Sequence, residues 1–210
     1  MGLEQLTEKV RRLFGDHRLV ERKLTKKSMT MKDLKKTSGI DRGQLNYWEF
    51  QNVLPKQKTA RGKSWRRFSR FELMGFAIIK ELAKHGLYLI DLYENPLERL
   101  ATEINKFKLV CEFSEGNRIY LQLNKENINY FYGDNIKAWK EKILPTQGPV
   151  TIMRIDPIMK KVIKLTQRDD FYIRFTKEKF SGKHKVIYYV EGEKIMLKSK
   201  IKIKRRRQNE

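Results

Sequence analysis

The chain has 210 residues, 40% of them hydrophobic, which suits one large or two small domains with an ordinary buried core and argues against wholesale disorder. Lys and Arg number 47 against 25 Asp and Glu, a net charge of +22; such an excess repels itself unless a polyanion is near, so the expected partner is nucleic acid or an anionic surface. No run of 18 apolar residues predicts a membrane-spanning helix, and Cys111, the only cysteine, excludes an intrachain disulfide and a thiolate-rich metal cluster.

In chain order, apolar positions at Leu3, Leu6, Val10, Leu13 and Phe14 predict a short amphipathic helix, followed by Arg18 to Lys27, which either continues as helix or serves as a basic lead-in. Three helix starts come next. Thr30 with Asp33 three residues on is a cap with an acidic partner, Met31 and Leu34 give that helix its apolar side, and Gly39 suits its end. Asp41 with Gln44 opens a second helix, with Leu45 and Trp48 as the buried stripe. Ser69 with Glu72 opens a third, carrying Met74, Ile78 and Leu82 on one face beside Phe71, Phe76 and Ala77, and stopping at Gly86. Between the second and third lies Pro55 to Arg67, dense in Lys and Arg and too polar for core; it reads as a β-hairpin with an exposed tip.

Beyond Phe107 the period changes. Lys108–Phe113 and Arg118–Leu123 read as strands joined by a Ser-Glu-Gly-Asn turn. Ile136, Trp139 and Ile143 put a helix within Asn129 to Leu144. Strands are expected at Val150–Ile155, Lys161–Leu165, Phe171–Phe175, Lys185–Val190 and Lys194–Leu197, punctuated by Pro157, Gly182 and Gly192. The expected fold class is therefore α+β. Residues 1–29 form an N-terminal helix and basic lead-in, and 30–105 an all-α winged helix-turn-helix with a short β wing. Residues 106–198 form a β-rich C-terminal domain, and 199–210 a basic tail.

The charge is concentrated. Arg18 to Arg70 holds 16 Lys and Arg against 4 Asp and Glu, whereas Phe71 to Ile104 holds 3 against 6; a basic block beside an acidic one argues for a defined binding face. Two short helices joined by Thr37-Ser38-Gly39-Ile40 form a helix-turn-helix, whose second helix enters the major groove. Its outward residues would be Arg42, Gly43, Gln44 and Asn46. Arg can fork to guanine, and Gln or Asn can pair with adenine. The basic hairpin would then lie on phosphates through Lys58, Arg61, Lys63, Arg66 and Arg67, supplying affinity while the helix supplies choice.

The order of these pieces resembles the MerR-type transcription regulators. Their domains run through a helix, Gly-Val, a recognition helix ending Arg-Tyr-Tyr/Trp-Glu, two spacer residues, Gly-Leu-Leu-Pro, a wing ending Tyr-Arg-Arg/Leu-Tyr-Ser, a helix, and Gly-Phe-Ser-Leu-Glu-Glu-Ile. Here the pieces are Leu34, Gly39-Ile40, Asn46-Tyr47-Trp48-Glu49, Asn52-Val53-Leu54-Pro55, Trp65-Arg66-Arg67-Phe68-Ser69 and Gly86-Leu87-Tyr88-Leu89-Ile90-Asp91-Leu92. The match covers roughly residues 30–92 in register. It implies that Tyr47, Arg66 and Arg67 touch the DNA backbone while Arg42, Gln44 and Asn46 face bases. Asn46 replaces the family's usual Arg. The long dimerising helix of the family is not matched, since Asn95 to Phe107 offers at most three turns.

Other chemistry is not legible. His17, His85 and His184 are scattered without ligand spacing, and there is no P-loop, Gly-rich dinucleotide turn or Ser elbow. The expectation is a non-enzymatic protein without cofactor or metal, bound to double-stranded DNA and not to membrane. A homodimer, and a protein or small-molecule effector at the C-terminal part, are left open as partners. The lone cysteine and the charged opening MGLEQLTEKVRRLFGD suit a cytoplasmic protein. Two alternatives stand: an architectural or excisionase-like DNA binder of a mobile element, and an RNA binder using C-terminal aromatics such as Tyr130, Tyr132 and Tyr188, which their apolar neighbours instead assign to the core.

Overall fold

A computed structural model describes residues 18–51, 54, 66–89, 95–104, 112–113, 116–124, 128–132, 150–177, 184–191 and 193–195. Helix α1 covers residues 18–25, followed by α2 (Met31–Ser38), α3 (Arg42–Phe50), α4 (Arg70–Lys84) and α5 (Pro96–Ile104). Then come β1 (Ile119–Leu123), β2 (Ile128–Tyr132), β3 (Thr151–Arg154), helix α6 (Asp156–Leu165), β4 (Phe171–Lys177), β5 (His184–Val190) and β6 (Glu193–Ile195). The architecture is α+β, with a helical N-terminal part followed by two small antiparallel sheets, β2-β1-β3 and β4-β5-β6.

Local chemistry accounts for the helix boundaries. The Thr30 hydroxyl accepts from the Asp33 amide while the Asp33 carboxylate accepts from the Thr30 amide, a reciprocal cap, and Gly39 ends α2 at φ 74°. Ser69 and Glu72 repeat that box at the start of α4, and Gly86 follows its end at φ 76°. Asp41 caps α3 through the Gln44 amide.

Three secondary-structure expectations are corrected. Lys161–Leu165 is not a strand but the end of α6. Its valine and isoleucine spacing passes for strand, yet Met159, Val162 and Ile163 are buried at helical spacing, and Pro157 sits in the first turn, where its fixed φ and missing N–H favour starting a helix. Asn129–Tyr132 is not helical but lies in β2, paired with β1 from Ile119↔Tyr132 to Leu123↔Ile128; a run rich in β-branched and aromatic residues suits a pleated surface. Ile136, Trp139 and Ile143 lie outside the described residues. Residues 112 and 113 are helical, not strand.

One cluster of buried side chains runs from Val20 and Leu24 through Leu34, Leu45, Trp48, Phe68 and Phe76 to Met159, Val162, Phe171 and Tyr188. The C-terminal part therefore seats directly on the helix-turn-helix. Polar ties reinforce the seat. The Arg70 guanidinium donates to the Lys23 and Thr166 carbonyls at 3.0 and 2.9 Å. Arg168 reaches the Asp33 carboxylate at 3.1 Å. Lys23 bridges Asp170 and Glu191, and Lys36 donates to the Leu165 carbonyl at the C-terminus of α6, where a cation complements the helix dipole. Tyr188 is fully buried, in keeping with the core assignment.

Candidate nucleic-acid interface

The two faces of α3 divide cleanly. Leu45 and Trp48 point inward, and the Trp48 ring stacks on Phe76 of α4 with centroids 5.9 Å apart. Arg42, Gly43, Asn46, Tyr47 and Phe50 are exposed. At roughly 100° per residue, a consequence of about 3.6 residues per turn, those five fall on one continuous outward face. Tyr47 is 55% and Phe50 76% exposed, unusual for large aromatics on a helix whose other face is core.

Gln44 and Glu49 occupy the two flanks of that face, both half-buried. They also lie toward opposite ends of the helix. On the first flank Lys80 of α4 donates to Gln44 Oε1 at 3.0 Å. The contact follows from the packing of α3 on α4: Lys80 lies four residues after Phe76, so it shares the face of α4 that meets Trp48. On the second flank the Arg66 guanidinium pairs with the Glu49 carboxylate. Arg66 also stacks 5.4 Å from the centre of the Phe68 ring, and burial pulls its pKa below the ordinary arginine value.

Arg42, Asn46 and Tyr47 stand on the exposed face of α3. Gln44 stands at its margin, with its side-chain carbonyl engaged by Lys80. Arg67 is exposed, whereas its neighbour Arg66 turns back to α3, its side chain only 11% exposed. Lys58, Arg61 and Lys63, like the rest of 55–65 and Asn52, lie outside the described residues.

The base of that segment is fixed nonetheless. Phe68, fully buried, exchanges two backbone hydrogen bonds with Met29 at 2.9 and 3.0 Å, and Ser69 then caps α4. Sequence reading missed two contributors. Phe50 follows Tyr47 by three residues and so shares its face, a periodicity the sequence did carry. The approach of Lys80 to Gln44 needed the packing of α3 on α4, which no local pattern reveals.

Among the described residues no group of three or more His, Cys, Asp and Glu is placed to hold a metal, and no helix is long and apolar enough to cross a membrane.

Residues 29–94 match the model of a known family, described as MerR HTH family regulatory protein. The matched span contains α2, α3, α4 and the basic segment between α3 and α4. The match supports a DNA-binding transcription regulator in general terms. Comparison with curated proteins gives no match.

Proposed function

With residues 29–94 carrying a MerR-type helix-turn-helix, we propose that the protein binds double-stranded DNA by sequence, placing α3 in the major groove and the segment after it along the phosphates. The observation that carries this reading is the outward face of α3, on which Arg42, Asn46, Tyr47 and Phe50 are exposed to solvent while Leu45 and Trp48 anchor the helix. Arg42 and Asn46 supply the hydrogen-bonding groups that discriminate base pairs in the major groove. Gln44 joins them at the margin, oriented by Lys80. Tyr47, Lys58, Arg61, Lys63 and Arg67 serve the backbone. Arg66 acts mainly from behind, holding the root of the basic segment against α3 through Glu49.

The test is selection of bound sequences from a random duplex library at physiological salt with competitor DNA. Enrichment of one motif establishes a sequence-specific regulator, and an inverted repeat would add a dimer. Tight low-salt binding with no motif would overturn sequence reading by α3 and leave an architectural role.

A further inference from the structure

A cleft of about 310 Å³ opens where three helices meet. Its rim carries Lys35 and Lys36 from the end of α2, Lys80 and Lys84 from α4, and Lys161 from α6, with Glu81 the one carboxylate among its lining residues. Glu81 is already matched by Lys84 at 2.8 Å, and that ammonium holds its carboxyl below the usual range. Lys36 and Lys80 keep one hydrogen bond each, to Leu165 and Gln44, while each ammonium has further donors to offer. Lys35 and Lys161 form no ion pair among the described residues. Five lysines against one carboxylate leave a net excess of four positive charges around one concavity, where low-dielectric walls concentrate their field on an anion.

The position of the cleft names the anion. It borders the turn of the helix-turn-helix at Ser38 and Gly39, and its Lys80 touches Gln44, near the start of α3. Arg66 pairs with Glu49, near the other end of that helix and on its other flank. The lysine cleft and the Arg66–Glu49 pair therefore stand on opposite flanks of the outward face of α3.

We propose that this lysine cleft is a second phosphate-binding surface, which takes the DNA backbone on the side of α3 opposite the basic segment and recruits Lys161 of the C-terminal part into the DNA interface. The inference rests on the proposed function. It goes further in giving residues beyond the matched family span a direct role in binding, made possible because α6 is fixed on α2 and α4 by Lys36 and the shared core.

The experiment measures affinity of the full chain for a 30-base-pair duplex of mixed sequence across a salt series. Lys35→Gln and Lys161→Gln change exposed side chains, and an unchanged melting curve confirms that the fold is kept. Each should lower the salt slope by about 0.9 and the pair by about twice that, with the preferred sequence unaltered. Lys194→Gln, on β6 outside the cleft, should leave the slope as it was. An unchanged slope in the double variant, or an equal fall in Lys194→Gln, overturns the cleft while leaving the proposed function intact. A parent chain that fails to bind duplex at any salt overturns both. Stabilisation by sodium phosphate over sodium chloride at equal ionic strength, abolished in the double variant without a change in slope, would assign the cleft to a free anion and overturn the backbone role.

Discussion

The Arg70 guanidinium donates to the carbonyl oxygen of Thr166, 96 residues further along the chain, at 2.9 Å. The same group donates to the Lys23 carbonyl and lies 4.7 Å from the centre of the Phe171 ring. At 3% exposure, burial pulls its pKa down to about 10, so it stays charged at neutral pH. Arg70→Met would leave the two carbonyl oxygens without this donor, an expected loss of roughly 2–3 kcal/mol. Arg70→Lys should recover little, because one ammonium cannot reproduce a planar fork. Urea unfolding checks both; a midpoint unmoved in Arg70→Met would show that the tie is dispensable.

Glu49 offers a prediction whose sign is contrary to simple charge counting. Glu49→Gln removes a negative charge close to the proposed DNA face, which by long-range electrostatics should tighten binding. It also strips Arg66 of its carboxylate partner and loosens the root of the basic segment. Weaker binding to duplex of every sequence is expected, read as a higher Kd in a fluorescence anisotropy titration. Tighter binding would mean that Glu49 is no more than a nearby charge.

The adjacent arginines should separate in the same assay. Arg67→Ala removes an exposed side chain and should lower the salt slope by about 0.9 with little change in stability. Arg66→Ala should lower the melting temperature and alter the slope less, since its charge already faces Glu49. Arg42→Ala should instead relax base choice at one position by about 1–3 kcal/mol. Identical salt series for the two wing-root variants would contradict the separation.

Asp156 sets an acid limit. Its buried carboxylate is pushed up by desolvation, but more than offset by the Arg154 guanidinium at 2.7 and 2.9 Å, the Ile119 amide and Lys160, and it ends below the ordinary value. A carboxyl depressed in the folded state adds stability that is present above its unfolded pKa of about 3.9 and lost as pH falls through the folded value. Asp33 and Asp170 are depressed as well. Melting temperature should therefore decline below about pH 4. Asp156→Asn should be less stable than the parent at pH 7, by roughly 1.5–3 kcal/mol, and the difference should shrink as the pH is lowered. A gap constant from pH 7 to pH 2 would count against an ionic role.

The parts of the fold that could be read from sequence are those built by neighbours. Thr30 with Asp33, Ser69 with Glu72, and Gly39 and Gly86 each act within one helical turn, so spacing alone located α2 and α4. The inward stripe of Leu45 and Trp48 followed from helical periodicity, and with it the outward face of α3. Reading failed where a short apolar run fits two periods: Val162, Ile163 and Leu165 serve a strand or a helix equally, and Pro157 decided for the helix from outside the run. It failed again at long range. Nothing near Arg66 in sequence announces Glu49, and nothing near Arg70 announces Thr166, so two arginines of one basic stretch were indistinguishable until packing turned both inward and left Arg67 exposed.

The unbroken core between α4 and α6 bears on how such a protein can be recombined. A chimera that joins residues 18–104 to a foreign C-terminal half would bare the flank of α4 that α6 covers, and would leave the Arg70 guanidinium facing whatever the new half presents. Exchange of DNA-binding specificity with a sibling protein should therefore succeed by grafting the outward residues of α3 alone, five positions on a retained scaffold, and fail when the cut is made at the boundary that the change of sequence period suggests.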